Sequence, residues 1–79
     1  MYKTTIRQAA CEVAEELHLA TENYGPFASP HEGYAIIKEE VDELWDEVKR
    51  RPEVRDNARM RAEARQIAAM AIRFMLDLT

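Results

Sequence analysis

A single cysteine, Cys11, leaves this chain unable to form an internal disulfide, so its stability has to come from packing rather than cross-linking. Only two Gly and three Pro punctuate its 79 residues, too few for a disordered chain, and the strict apolar/polar alternation of a half-buried strand is missing throughout. No internal repeat or low-complexity tract is present. A charged-then-apolar leader and a long apolar run are also lacking, so the expected setting is a reducing cytoplasm with no membrane partner. The net charge of -4 lacks the basic excess of a nucleic-acid-binding surface. Lys49, Arg50, Arg51, Arg55, Arg59, Arg61 and Arg65 do gather in the second half, but the acidic middle would repel a long polyanion. The arginines suit phosphate groups better than a nucleic acid polymer.

What is present is 47% hydrophobic and 33% charged residues, the balance of a soluble all-α protein. The length allows one domain, residues 1–79. A chain this short buries only about 60% of its unfolded surface, so association with a second copy is expected. Ile6, Ala10, Val13, Leu17 and Ala20 recur at intervals of three and four, which predicts a first helix from roughly Thr4 to Ala20. The stretch from Thr21 to Pro30 carries Asn, Gly, Pro and Ser and reads as a connecting loop. Ser29 as N-cap, Pro30 at the first helical position and Glu32 closing a capping box predict a second helix starting near Pro30. Its apolar stripe is Tyr34, Ile37, Val41, Leu44 and Val48, and Pro52 ends it near Arg50 or Arg51. Met60, Ala64, Ile67, Ala71, Phe74 and Leu78 mark a third helix from Glu53 or Arg55 to the end. The short connection sets helices two and three side by side and antiparallel.

The carboxylates are the chemical signal. Glu40, Glu43 and Glu47 share a narrow sector of the second helix, with Glu39 at its edge, and like charges at such spacing each cost about 0.2 to 0.5 kcal/mol. Glu63 sits at the border of the third helix's apolar stripe, between Met60, Ile67 and Met70, where an unpaired carboxylate is costly. Gln66, one turn on, offers a neutral oxygen to the same point. In an antiparallel pair Glu40, Glu43, Glu63 and Gln66 converge on one cavity. Hard oxygen donors without a His or Cys cluster suit magnesium or manganese rather than zinc, with coordination positions left for a nucleotide. The bland alternative is a solvated acidic face, laced by pairs such as Lys38 with Asp42 and Asp46 with Arg50.

The stretches HEGYAIIKEEVDELWDEVKR, His31 to Arg50, and EARQIAAMAIRFMLDL, Glu63 to Leu78, resemble the MazG-like nucleoside triphosphate pyrophosphohydrolases of the all-α NTP pyrophosphatase superfamily. The family pattern of two adjacent Glu, two residues and a third Glu is matched by Glu39, Glu40 and Glu43. Its second-helix Glu is matched by Glu63. The resemblance implies a magnesium-dependent enzyme that splits a nucleoside triphosphate into monophosphate and pyrophosphate, with a role in clearing unwanted nucleotides. By the same resemblance Glu40, Glu43 and Glu63 hold the metal, and Glu39 is a ligand or orients the attacking water. The protomer's three helices would join a homodimer or homotetramer with a four-helix-bundle type of core. Gln66 stands where the family has Asp, which removes one negative charge, and relatives carry a further segment with Lys or Asn that this sequence lacks after Thr79. A noncatalytic helical module that binds nucleotide or a partner protein is the rival reading.

Other residues carry weaker signals. Arg59 and Arg73 fall on the same side of the third helix as Gln66 and are candidate phosphate contacts, with pairing of Arg73 to Asp77 as the structural alternative. Asn23, Tyr24 and Phe27 in the loop could touch a base or pin the loop to the bundle. Trp45, beside the apolar stripe, reads as a core or subunit contact. His18, His31 and Cys11 suggest no catalysis.

Overall fold

A computed structural model describes residues 4–79 as three helices, α1 (Ile6–Asn23), α2 (Pro30–Val48) and α3 (Asn57–Leu78), with no strand among the described residues. Each helix starts where a side chain takes up free backbone amides. Thr5 and Gln8 form a reciprocal capping box on α1, Thr5 Oγ1 accepting from Gln8 N–H at 3.1 Å and Gln8 Oε1 from Thr5 N–H at 2.8 Å. On α2, Ser29 Oγ accepts from Glu32 N–H at 3.1 Å as expected, but the Glu32 carboxylate accepts from Ala28 N–H, one residue upstream of the cap. Asp56 Oδ1 accepts from the amides of Ala58 and Arg59 and starts α3.

Four boundaries differ from the sequence reading, the first being the start of α1, at Ile6 rather than Thr4 because Thr5 is its cap. α1 runs through Asn23 rather than Ala20, because Thr21 and Asn23 turn their side chains back onto the carbonyls of His18 and Leu19 instead of breaking the helix. α2 ends at Val48, ahead of Arg50 and Arg51, with the Lys49 amide donating to Trp45 O. α3 starts at Asn57 rather than Glu53 or Arg55, since Arg51 O accepts from both Val54 and Arg55 N–H in a separate turn around Pro52.

α3 is the central element. α1 and α2 both pack on it and not on each other. Glu12 meets Arg61 and Arg65, Glu16 meets Arg65, and the Phe27 amide meets Asp77, so α1 runs parallel to α3. Gly33 lies against Phe74 and Leu78 while Glu43 lies against Glu63, so α2 runs antiparallel, as the short connection predicted. The result is a curved layer with extents of 40 × 26 × 20 Å.

The core is small: Ala20, Phe27, Ala69 and Met70 are buried, with Val13, Leu17, Ile36, Ile37, Phe74 and Leu78 packed against them. The predicted stripes are only partly buried. Ile6 is 90% exposed because α1 overhangs the start of α3 there, and Ala10, Tyr34, Val41, Ala64 and Ala71 are exposed as well. A helix flanked on two sides buries a different arc from one that faces a single partner, so Ala69, Met70 and even Arg73 go inside while Ala64 and Ala71 stay out.

Gly33 lets α2 approach α3 closely. A Cβ there would stand 2.7 Å from Phe74 Cδ2, 3.0 Å from Leu78 Cδ1 and 3.1 Å from Phe27 Cδ2. Gly33→Ala gains about 1 kcal/mol of helix propensity, but overpacking costs about 1 to 3 kcal/mol, and two of the three neighbours are stiff rings. The expected outcome is a lower urea midpoint at unchanged slope, with a larger drop for Gly33→Val. An Ala variant more stable than the parent would show that the rings yield freely.

Candidate metal centre

Because α1 and α2 flank α3 without touching, a cavity of about 660 Å³ opens between them with α3 as its floor. Glu16, Leu19 and Asn23 form the α1 wall, and Ile36, Glu40 and Glu43 the α2 wall. Glu63, Gln66, Met70 and Arg73 rise from α3. Glu40, Glu43 and Glu63 each bring a carboxylate oxygen to within 4.8 Å of the others. The antiparallel packing of α2 on α3 places them so: Glu40 and Glu43 share a helical flank one turn apart, and Glu63 comes from the facing helix.

The electrostatics follow from that crowding. Burial pushes the Glu40 carboxyl up to about 7, helped by the charge of Glu43, a hydrogen bond with Glu43, and the charges of Glu63 and Glu39. Glu63 is raised too, first by burial, then by its hydrogen bond with Glu43 and the charges of Glu43 and Glu47. Four of the protein's arginines are engaged elsewhere. Arg50 pairs with Glu47 at 3.2 Å, Arg61 and Arg65 pair with Glu12 and Glu16, and Arg73 pairs with Asp77 at 3.4 Å. Among the described residues no ion pair reaches Glu40, Glu43 or Glu63. Three clustered carboxylates with no cationic partner and an open cavity above them fit a hard divalent cation such as magnesium or manganese.

The other candidates divide. Gln66 lines the cavity beside the triad. Glu39 lies outside the triad on an exposed position, close enough for its charge to act on Glu40. Arg59 is exposed and outside the cavity. Arg73 lines the cavity but is 5% exposed, donates to the Gly25 carbonyl, pairs with Asp77 and stacks 4.4 Å from the centroid of Phe27. Its Nε, buried without a hydrogen bond of good geometry, is the atom that lies 3.4 Å from Asp77 Oδ2. Phe27 is buried and pins the loop, whereas Asn23 and the exposed Tyr24 do line the cavity. Trp45, read as a core or subunit contact, is 59% exposed in the protomer.

Of the α1 wall the sequence points to Asn23 alone, as a base contact or loop pin, and not to Glu16 or Leu19. Glu16, Leu19 and Asn23 lie on the flank of α1 next to its packing stripe, but no spacing rule says that this flank faces Glu40 across a gap. Their position depends on α1 running parallel to α3, which only the long-range pairs of Glu12 and Glu16 reveal.

No family model, curated protein or solved structure matches this chain. No helix among the described residues is long and apolar enough to cross a membrane.

A pH dependence follows from Glu40. Its folded-state value near 7 lies above the ordinary 4.5, so between these values the folded protein holds a proton that the unfolded chain has lost. Stability therefore falls as pH rises through this window, with Glu63 acting in the same sense. Thermal melts of metal-free protein should show a falling Tm from pH 4.5 to 7, and Glu40→Gln should flatten that part of the curve. A Tm that climbs across the window in the parent would contradict this account.

Proposed function

We propose that this protein is a magnesium- or manganese-dependent nucleoside triphosphate pyrophosphohydrolase of the MazG-like kind. It converts a nucleoside triphosphate to the monophosphate and pyrophosphate, in the service of nucleotide-pool house-cleaning, as a homodimer or homotetramer. The observation that carries the reading is the meeting of Glu40, Glu43 and Glu63 within 4.8 Å at the edge of a cavity of about 660 Å³, a volume in the range that holds small-molecule ligands.

Glu40, Glu43 and Glu63 would hold the ion, with Gln66 adding a neutral amide oxygen. Bound there, the metal would offset charge developing on the phosphates and acidify water in its reach. The chain's own groups do the rest. Glu39 is solvent-exposed next to Glu40, and its carboxylate would either join the ligands or orient the attacking water and take its proton as the bond between the α and β phosphates breaks. Glu43 is the most open of the triad and fixes the phosphate end of the cavity. Arg73 lies ten residues along α3, about 15 Å from Glu63, where it closes the opposite end and holds the loop that carries Tyr24.

A second reading keeps the cavity without turnover, as a module that binds nucleotide or a partner protein. It is favoured by Gln66 in place of an acid and by the commitment of the Arg73 guanidinium to Gly25 and Asp77. Incubation with magnesium and a panel of canonical and modified triphosphates separates the two. Catalysis predicts pyrophosphate release that falls by roughly 100-fold or more in Glu43→Gln. Silence across the panel, with a magnesium-dependent rise in Tm retained, assigns the protein to the binding reading.

A further inference from the structure

The cavity changes character along its length. The carboxylates of Glu40, Glu43 and Glu63 stand at one end. The middle is apolar, with Leu19 and Ala20 on α1, Ile36 on α2 and Met70 on α3. Met70 stands about 10 Å along α3 from Glu63, at about 1.5 Å per residue. Beyond it the wall turns polar again with Asn23, Tyr24 and Arg73. In the reading above the phosphates occupy the acidic end. The apolar stretch then suits the sugar and the faces of a ring, and the edge of that ring meets the far polar groups.

Those groups offer mainly an acceptor. Asn23 Nδ2 donates to the Leu19 carbonyl at 2.8 Å. A carbonyl oxygen only accepts, so the amide nitrogen has to face it, and Oδ1 sits on the branch turned away. The nitrogen keeps one N–H beside that carbonyl, whereas among the described residues no donor reaches Oδ1 and both its lone pairs are free. The helix adds to this. No basic residue stands in the last turn of α1, so the partial negative charge of the helix C-terminus falls on the same residues. Arg73 does not reverse the balance, because it is buried and its guanidinium donates to the Gly25 carbonyl, pairs with Asp77 and stacks on Phe27. Tyr24 is 69% exposed, and its hydroxyl donates or accepts with equal ease, so it supplies contact without choosing.

We propose that Asn23 reads the base and selects cytosine and adenine over uracil and hypoxanthine. The first two carry an exocyclic amino group, a donor, where their counterparts carry an oxo oxygen, an acceptor. N4 of cytosine or N6 of adenine donates to Asn23 Oδ1. An oxo oxygen at the same place sets lone pairs against lone pairs and leaves Oδ1 unpaired. Within each pair the rings have the same size and shape, so the apolar walls cannot tell them apart and discrimination falls on this one contact. The proposal rests on the nucleoside triphosphate reading above and holds whether or not the bound nucleotide turns over.

Isothermal titration calorimetry with magnesium and α,β-imido triphosphates tests it, comparing the dCTP with the dUTP analogue and the ATP with the ITP analogue. The amino member of each pair should bind about tenfold more tightly, the worth of one hydrogen bond. Asn23→Ala should bring both ratios close to one. Asn23→Asp keeps the acceptors, removes the amide N–H and should retain the preference. Equal affinities within the pairs, tighter binding of the oxo members, or no binding at all overturn the proposal. So does a preference that survives Asn23→Ala or one that Asn23→Asp abolishes. Should Asn23→Ala lose its helical circular dichroism, the parent and Asn23→Asp decide. Binding and pyrophosphate release are read separately. An amino preference without release removes the catalytic reading and leaves this one, and release with equal kcat/KM for dCTP and dUTP does the reverse.

Discussion

The close approach of α2 and α3 brings like charges together, and the remainder of the fold is arranged around that cost. Glu40, Glu43 and Glu63 sit within 4.8 Å, and among the described residues no ion pair relieves them. Without a cation the protein retains a proton on Glu40 close to neutrality. What holds the helices against this repulsion is steric and local: Gly33 admits Phe74 and Leu78 at van der Waals range, and Phe27 fills the space between. Burial of such modest apolar contacts yields about 25 cal/mol per Å², so a small core leaves little margin for unrelieved charge. An ion held there, as proposed above, would add stability as well as chemistry.

The arginines of α3 explain why the cavity stays open. Arg61 and Arg65 reach across to Glu12 and Glu16, with the Arg61 fork bidentate on Glu12 at 3.0 and 2.6 Å. That tethers α1 to the flank of α3 away from α2. Arg73 performs a different task at the far end, drawing the Gly25 carbonyl inward while Asp77 takes the Phe27 amide at 3.0 Å. The loop is thereby stretched round the end of α3, so α2 returns on the opposite flank. Exposed ion pairs contribute little stability individually; here they select which side of α3 each helix occupies.

Much of this could be read from local sequence, and the parts that could not share a cause. The caps at Ser29 and Pro30, the antiparallel turn after Pro52 and the Glu40, Glu43, Glu63 meeting all depend on residues within one helix or on two helices joined by a short connection. The arc each helix buries does not. Period analysis finds a stripe but not its width or rotation when a helix has two neighbours: it puts Ala64 and Ala71 in the stripe of α3, whereas the α3 residues that are buried are Ala69, Met70 and Arg73. Arg73 was weighed as a phosphate contact, with its i,i+4 partner Asp77 as the alternative. Its contact with Gly25, 48 residues away in sequence, has no local signature.

The same rotation that buries Ala69 and Met70 turns Ala71 and Met75 outward, which connects the cavity to the back of the layer. A helix has a fixed circumference. If α3 gives one arc to α1, one to α2 and one to the carboxylate cavity between them, whatever apolar residues remain must emerge on the fourth side. On α2 the arithmetic is similar: with Ile37 and Leu44 turned toward α3 and Glu40 and Glu43 toward the cavity, Tyr34, Val41 and Trp45 have no inward position left. Moving them inside would rotate Glu40 and Glu43 away from Glu63 and dissolve the triad. An apolar back is therefore the geometric counterpart of an acidic front, and a chain that keeps one in a single layer of helices has to present the other.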